Sequence, residues 1–150
     1  MAELNTEPRF TSEPDIQGTD VIGTSANTSY DGTGSNVYPI FQADATNGGF
    51  VQKIRLKPIG SPAKTVARLF ICSVTGTFTA GVSNTASTMF LYEEISLPAF
   101  SLSQVYATPN FLEFNLSIAL PPGYRLIMTF GTSTGSSGNG YKATTIAGKY

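Results

Sequence analysis

The pattern that most constrains this chain is residues 112–130, LEFNLSIALPPGYRLIMTF, where two alternating runs meet at Pro121-Pro122-Gly123. A period of two sends successive side chains to opposite faces of a strand, so each run describes a strand with one buried and one wetted face. Leu112, Phe114, Leu116, Ile118 and Leu120 form the apolar face of the first, against Glu113, Asn115 and Ser117. Tyr124, Leu126, Met128 and Phe130 form that of the second, with Arg125 and Thr129 opposite. Read as a hairpin, the Pro-Pro-Gly loop joins 120 to 124 and sets Ile118 against Leu126, Leu116 against Met128, and Phe114 against Phe130. Even positions then face even positions throughout, and the pair is expected to build one wall of a sandwich.

The rest of the chain repeats the theme. After the turn signal Asn47-Gly48-Gly49, FVQKIRLKPI places Phe50, Ile54 and Leu56 on one parity and Val51, Lys53, Arg55 and Lys57 on the other. VARLFICSV (66–74) is nearly continuous in apolar residues and predicts a central strand covered on both faces. In MFLYEEISL (89–97), Met89, Leu91, Ile95 and Leu97 share a parity. Further short strands are expected at 19–25, at 37–43 and in YKATTIAGKY, while GTSTGSSGNG (131–140) reads as a flexible loop. Roughly eight short strands without a helix give an all-β chain, a β-sandwich with a jelly roll as the expected topology. At 150 residues one domain is expected. It spans 19–150, behind an extended N-terminal arm, 1–18, that holds Pro8, Pro14 and Gly18 and has little periodicity.

Charged residues are 13% of the chain, about half of the usual share of roughly 25%. Gly, Ser, Thr and Asn replace them, so the exterior is hydroxyl-rich and suited to packing against a partner surface. The charges are also segregated. Residues 1–50 hold seven acids against Arg9 alone, and residues 51–150 hold eight bases against three acids. Such halves attract each other, within one chain or between copies. Nucleic acid is not an expected partner, because the bases are few and the densest group is the spaced Lys53, Arg55 and Lys57. Cys72, the single cysteine, lies in an apolar run and reads as a buried thiol. MAELNTEPRF has no apolar centre and reads as no signal peptide, no run reaches transmembrane length, and no membrane partner is expected. Synthesis in a reducing cytoplasm follows as the simplest expectation.

Catalytic chemistry finds little to use. The chain has no histidine, which removes Ser-His-Asp and Cys-His catalysis and imidazole metal ligation. One cysteine cannot build a thiolate cluster, and no cofactor is implied. Glu93 and Glu94 are adjacent in a strand and point to opposite faces. Glu93 shares the apolar parity, which suggests an ion pair with Arg68 or Arg125, or a bulge. Glu93 with Glu113 is the one glycosidase-like pair that can be assembled. DGTGSN (31–36) lacks the third glycine of a dinucleotide fingerprint, the Gly-Lys-Ser/Thr of a P-loop and the closing Glu of a calcium loop, and reads as a surface turn. Tyr30, Tyr38, Tyr106, Tyr141 and Tyr150 sit at loops, strand edges or the end of the sequence, where packing or subunit contact is the expected use.

Four stretches together, GFVQKIRLKPIGSPAKTVARLFICS, LYEEISLPAFSLS, NLSIALPPGYRLIMTFGTS and the final TTIAGKY, resemble a group of small virion proteins of tailed bacteriophages. The resemblance covers about residues 48–150 and leaves out the leading arm. It implies a capsid decoration, or cement, protein: a β-sandwich on the outer capsid surface that bridges capsomers, often as a trimer. The major capsid protein and further copies of the chain are then the expected partners, and no enzyme activity is implied. Within the arm, Leu4, Phe10 and Ile16 are the expected apolar anchors, with Arg9 reaching a carboxylate. The alternative is a receptor- or glycan-binding knob of a phage fibre or tail, using loops 26–36, 76–87 and 132–140.

Overall fold

The computed structural model describes residues 11–108 and 112–150. Among these residues are eight strands and no helix. They are β1 (Glu13–Gly18), β2 (Tyr38–Gln42), β3 (Gly49–Ile59), β4 (Thr65–Cys72), β5 (Met89–Leu97), β6 (Leu112–Leu120), β7 (Arg125–Phe130) and β8 (Gly140–Lys149). Two four-stranded antiparallel sheets, β1-β8-β3-β6 and β2-β7-β4-β5, pack face to face. The all-β sandwich expected from the sequence is the fold. Val51, Ile54, Leu56, Phe114 and Tyr141 fill the core from one sheet, and Ala67, Leu69, Leu126, Met128 and Phe130 fill it from the other. Phe130 stacks on Tyr141 at 6.1 Å between ring centroids, joining the sheets at mid-core.

The Pro-Pro-Gly segment is not a hairpin. β6 pairs with β3 through Phe114↔Ile54 and Leu112↔Leu56, while β7 pairs with β2 and β4 in the other sheet. The expected pairs of Ile118 with Leu126, Leu116 with Met128 and Phe114 with Phe130 are therefore not ladder partners. Alternation fixes which face of a strand is buried and leaves its neighbour open; here the two even faces meet the same core from opposite sides. The corner is pinned by hydrogen bonds from Gly123 N to Asp44 O (3.1 Å) and Tyr124 N to Pro121 O (3.2 Å). Gly123 takes a φ of 77°, and a Cβ there would meet Thr75 at 3.0 Å.

Two parities also change. The β3 ladder shifts register between Val51 and Lys53, so Val51 joins Ile54 and Leu56 in the core and Phe50 turns outward. Ser117, on β6 beside this shift, is the non-glycine residue with positive φ (51°) among the described residues. In β7 every residue is buried, including Arg125, Ile127 and Thr129 on the face expected to be wet. Loops from either side cover that face. Val37, Phe70, Cys72, Met89 and Ile127 form a second apolar cluster with Val74 and Phe78 packed against it. Arg125 anchors the covering loop, donating to Val74 O and, at 2.5 Å, to Gly76 O. Cys72 is buried and free, as its apolar setting suggested.

Loop readings change as well. Residues 19–25 hold only an isolated bridge, Ile22↔Tyr141, in place of the expected strand. The 131–140 segment, expected to be flexible, is tied down by Thr134 N to Gly23 O (3.0 Å), Ser133 Oγ to Thr24 O (2.7 Å) and Thr134 Oγ1 to Asn139 O (2.7 Å). Residues 13–18, assigned by sequence to the arm, are extended but hydrogen-bonded to β8 as an edge strand, so the sheet begins before residue 19.

Candidate functional site

Of the four arm residues singled out from sequence, Leu4, Arg9 and Phe10 lie outside the described residues. Ile16 lies in β1 opposite Ile146 and is 65% exposed. One residue further, Gln17 does what sequence reasoning missed. Its amide donates to Gln42 O (2.8 Å) and accepts from Gln42 N (3.1 Å), fastening edge strand β1 to edge strand β2 across the sheets. A lone Gln in a polar segment carries no sequence signal for such a clamp.

On the opposite side of the sandwich, no described strand pairs with the outer edge of β5. β5 is the last strand of its sheet, and only Met89 and Leu97 within it are buried. Phe90, Leu91 and Tyr92 are 49%, 44% and 45% exposed in succession. Their run is set by a bulge: Leu69 pairs with Glu93 and Phe70 with Leu91, leaving Tyr92 as the extra residue. The connection after β5 exposes Leu102, Val105 and Tyr106 as well. An unpaired edge rich in exposed apolar side chains invites a partner.

The two carboxylates of the glycosidase-like pair sit on edge strands of different sheets. Glu93 is exposed on β5, and Glu113 lies on β6, the edge of the other sheet. Glu113 accepts from Arg55 (Nε 2.9 Å, Nη2 2.8 Å) and lies 3.7 Å from Lys53 Nζ. The Arg55 hydrogen bond, with the charge of Lys53, holds its pKa below the usual carboxylate range. A proton donor near neutrality needs the opposite shift. Glu94, not Glu93, is the partner of Arg68, at 2.7 Å from Nε. Among the described residues no three acids or cysteines come together as a metal site, and no helix is long and apolar enough to cross a membrane.

DGTGSN is a turn with an internal hydrogen-bond set. Asp31 Oδ1 accepts from the Ser29 hydroxyl, from Thr33 Oγ1 (2.7 Å) and from Thr33 N (3.1 Å). These bonds lower its pKa to about 2. Asn84 Nδ2 then donates to Gly32 O (2.7 Å) and Gly34 O (2.8 Å), docking the turn on the 75–88 loop.

The same turn places Tyr30 beside an open cavity of about 720 Å³, bordered by Lys64, Val66, Arg68, Leu97 and Thr132. The Arg68 guanidinium carbon lies 4.2 Å from the Tyr30 ring centroid. Arg68 is buried, and its Nη1 has no hydrogen-bond partner among the described residues. Thr129, directly opposite Arg68 in the β4–β7 ladder, has a buried hydroxyl that likewise has no partner among the described residues. Tyrosines and Arg68 were visible in the sequence; their meeting depends on the 26–36 loop folding over the outer face of β4, which no local pattern encodes. Compared with known protein families, curated proteins and solved structures, the chain matches none.

Proposed function

We propose that this chain is a structural virion protein. It binds the outside of a phage capsid, associates with copies of itself as a trimer, and reinforces contacts between capsomers. The observation that carries this reading is the open β5 edge, with Phe90, Leu91 and Tyr92 exposed in succession. Such an edge persists in a protein that lives in an assembly, where a neighbour covers it. The sparse charge of the chain supports the same use, since wide weak contacts become tight when many copies engage at once. We read the strand order β1-β8-β3-β6 over β2-β7-β4-β5 as a jelly roll, an architecture found in viral capsid and lectin domains alike. The fold therefore leaves the choice of role to the surface.

Mixing the purified chain with heads that lack it tests the reading. Saturable binding at a fixed number of copies per capsomer is expected, and a Leu91→Lys variant should lose it. Heads that stay bare at micromolar protein contradict the proposal. Specific capture of the chain on a glycan array, with bare heads, would favour the fibre-knob alternative.

A further inference from the structure

The outer face of the β1-β8-β3-β6 sheet is basic. Along β3, Lys53, Arg55 and Lys57 alternate with the buried Ile54 and Leu56 and so point away from the core. Along β8, the exposed Lys142 and Thr144 alternate with the buried Tyr141, Ala143 and Thr145. The ladders set these residues side by side: Lys57 opposite Lys142, Arg55 between Thr144 and Glu113, and Lys53 between Ile146 and Asn115. Four bases thus share the face with Glu113, which already meets Lys53 and Arg55. Lys57 and Lys142 are like charges in directly opposed positions, an arrangement that costs a sheet stability. An acidic surface laid against the face offsets that cost.

The chain itself does not supply such a surface. Among the described acids, Glu13, Glu94 and Glu113 pair with Lys149, Arg68 and Arg55. Asp31 and Asp44 accept the hydrogen bonds of their own turns, and Asp15 accepts from the Gln17 amide at 3.2 Å. Asp20 and Glu93 remain, one after β1 and one on β5, at opposite edges of the sandwich. A second copy therefore offers single carboxylates and no acidic patch. Residues 1–10 add Glu3 and Glu7 against Arg9. Wherever they lie, their net charge and that of Asp20 together leave the face positive.

The face also carries an apolar pair, Ile16, which is 65% exposed, opposite Ile146. Such a pair gains nothing from a phosphate backbone and suits a protein surface. We propose that this face meets the coat, docking on an acidic patch of the major capsid protein. Ile16 and Ile146 form the apolar part of the contact, and Lys53, Arg55, Lys57 and Lys142 the charged part. The proposal rests on the capsid reading and gives it a surface distinct from the β5 edge.

Lys142→Glu tests it, because the swap turns a like pair into an opposite one and leaves the sheet at least as stable. Binding of the full-length protein to heads that lack it is measured from low to moderate salt. Wild-type affinity should fall as salt rises, since screening weakens exposed charge contacts. Lys142→Glu should melt no lower than wild type and yet bind heads about tenfold or more weakly at low salt, because it sets like charges against each other across the contact. Lys142→Arg should bind as wild type does. Equal affinity of wild type and Lys142→Glu overturns the proposal and leaves the capsid reading standing. Wild-type protein that fails to bind heads removes that reading, and the proposal with it. A large gain in affinity when the full chain carries E3Q and E7Q would show the face covered by its own leading segment, and would also overturn it. So would binding of random duplex DNA as tight as that of heads, the mark of a general polyanion site.

Discussion

Asp31 shows how a turn residue becomes structural. Hydrogen bonds from Ser29 and Thr33 stabilise its carboxylate and bring its pKa to about 2, below the roughly 3.9 of an unfolded aspartate. A depressed carboxylate pKa contributes stability that is present above the unfolded value and lost as pH falls through the folded one. Melting temperature should therefore drop between about pH 4 and pH 2, and Asp31→Asn should drop less over that window. Equal slopes in the two proteins would contradict the assignment. Asp44, lowered by the backbone N–H groups of Asn47 and Thr46, and Glu113 supply the slope that remains. Tyr141 works at the other end of the scale. Burial raises its pKa to about 12, so the folded state resists ionisation that the unfolded chain undergoes near pH 10. Stability should fall as pH rises above about 10, and Tyr141→Phe should flatten that alkaline limb in a thermal titration; an unchanged limb would count against it.

At the scale of elements, the β5 edge and the β1–β2 clamp make opposite forecasts. Leu91→Lys or Tyr92→Lys places a charge on an open edge, which natural sheets use to prevent pairing. Sedimentation velocity should show a shift to smaller species, with unfolding free energy changed by no more than about 0.5 kcal/mol, as for exposed sites generally. Unchanged mass would remove the edge as an interface. Gln17→Ala should instead cost about 1 kcal/mol in urea unfolding, because it frees two main-chain groups of Gln42 at the sandwich side. No loss of stability would mean that the sheets are held without the clamp.

Much of this was legible in the sequence. The alternation in residues 112–120 correctly assigned Leu112, Phe114, Leu116 and Leu120 to the core. The unbroken run in β4 correctly forecast a strand inside its sheet, because apolar residues on both parities need two covered faces. Partner strands were not legible. Pro121-Pro122-Gly123 can turn a hairpin or a corner, and only the competition of β3 and β4 for neighbours decides between them. The wet face expected of β7 failed for a similar reason: two distant loops bring Val37, Val74 and Phe78 over it, beside Met89 at the start of β5. The cavity beside Arg68 inherits that unpredictability, since Tyr30 arrives on one of those loops.

Taken whole, the molecule is a sandwich fastened along one side by Gln17 and open along the other at β5, with a basic cavity on the outer face of β4 and an acidic segment before β1. The β5 edge and the cavity both lie at the surface, within reach of a neighbouring molecule. The role proposed for the chain is at a capsid surface. The measurement that bears on it most directly is a cryo-EM difference map between phage particles assembled with and without this protein. Added density over or between capsomers on the outer shell, with β5 edges meeting neighbouring density, is expected of that role. Density confined to the tail or fibres, or maps that coincide over the head, would contradict it.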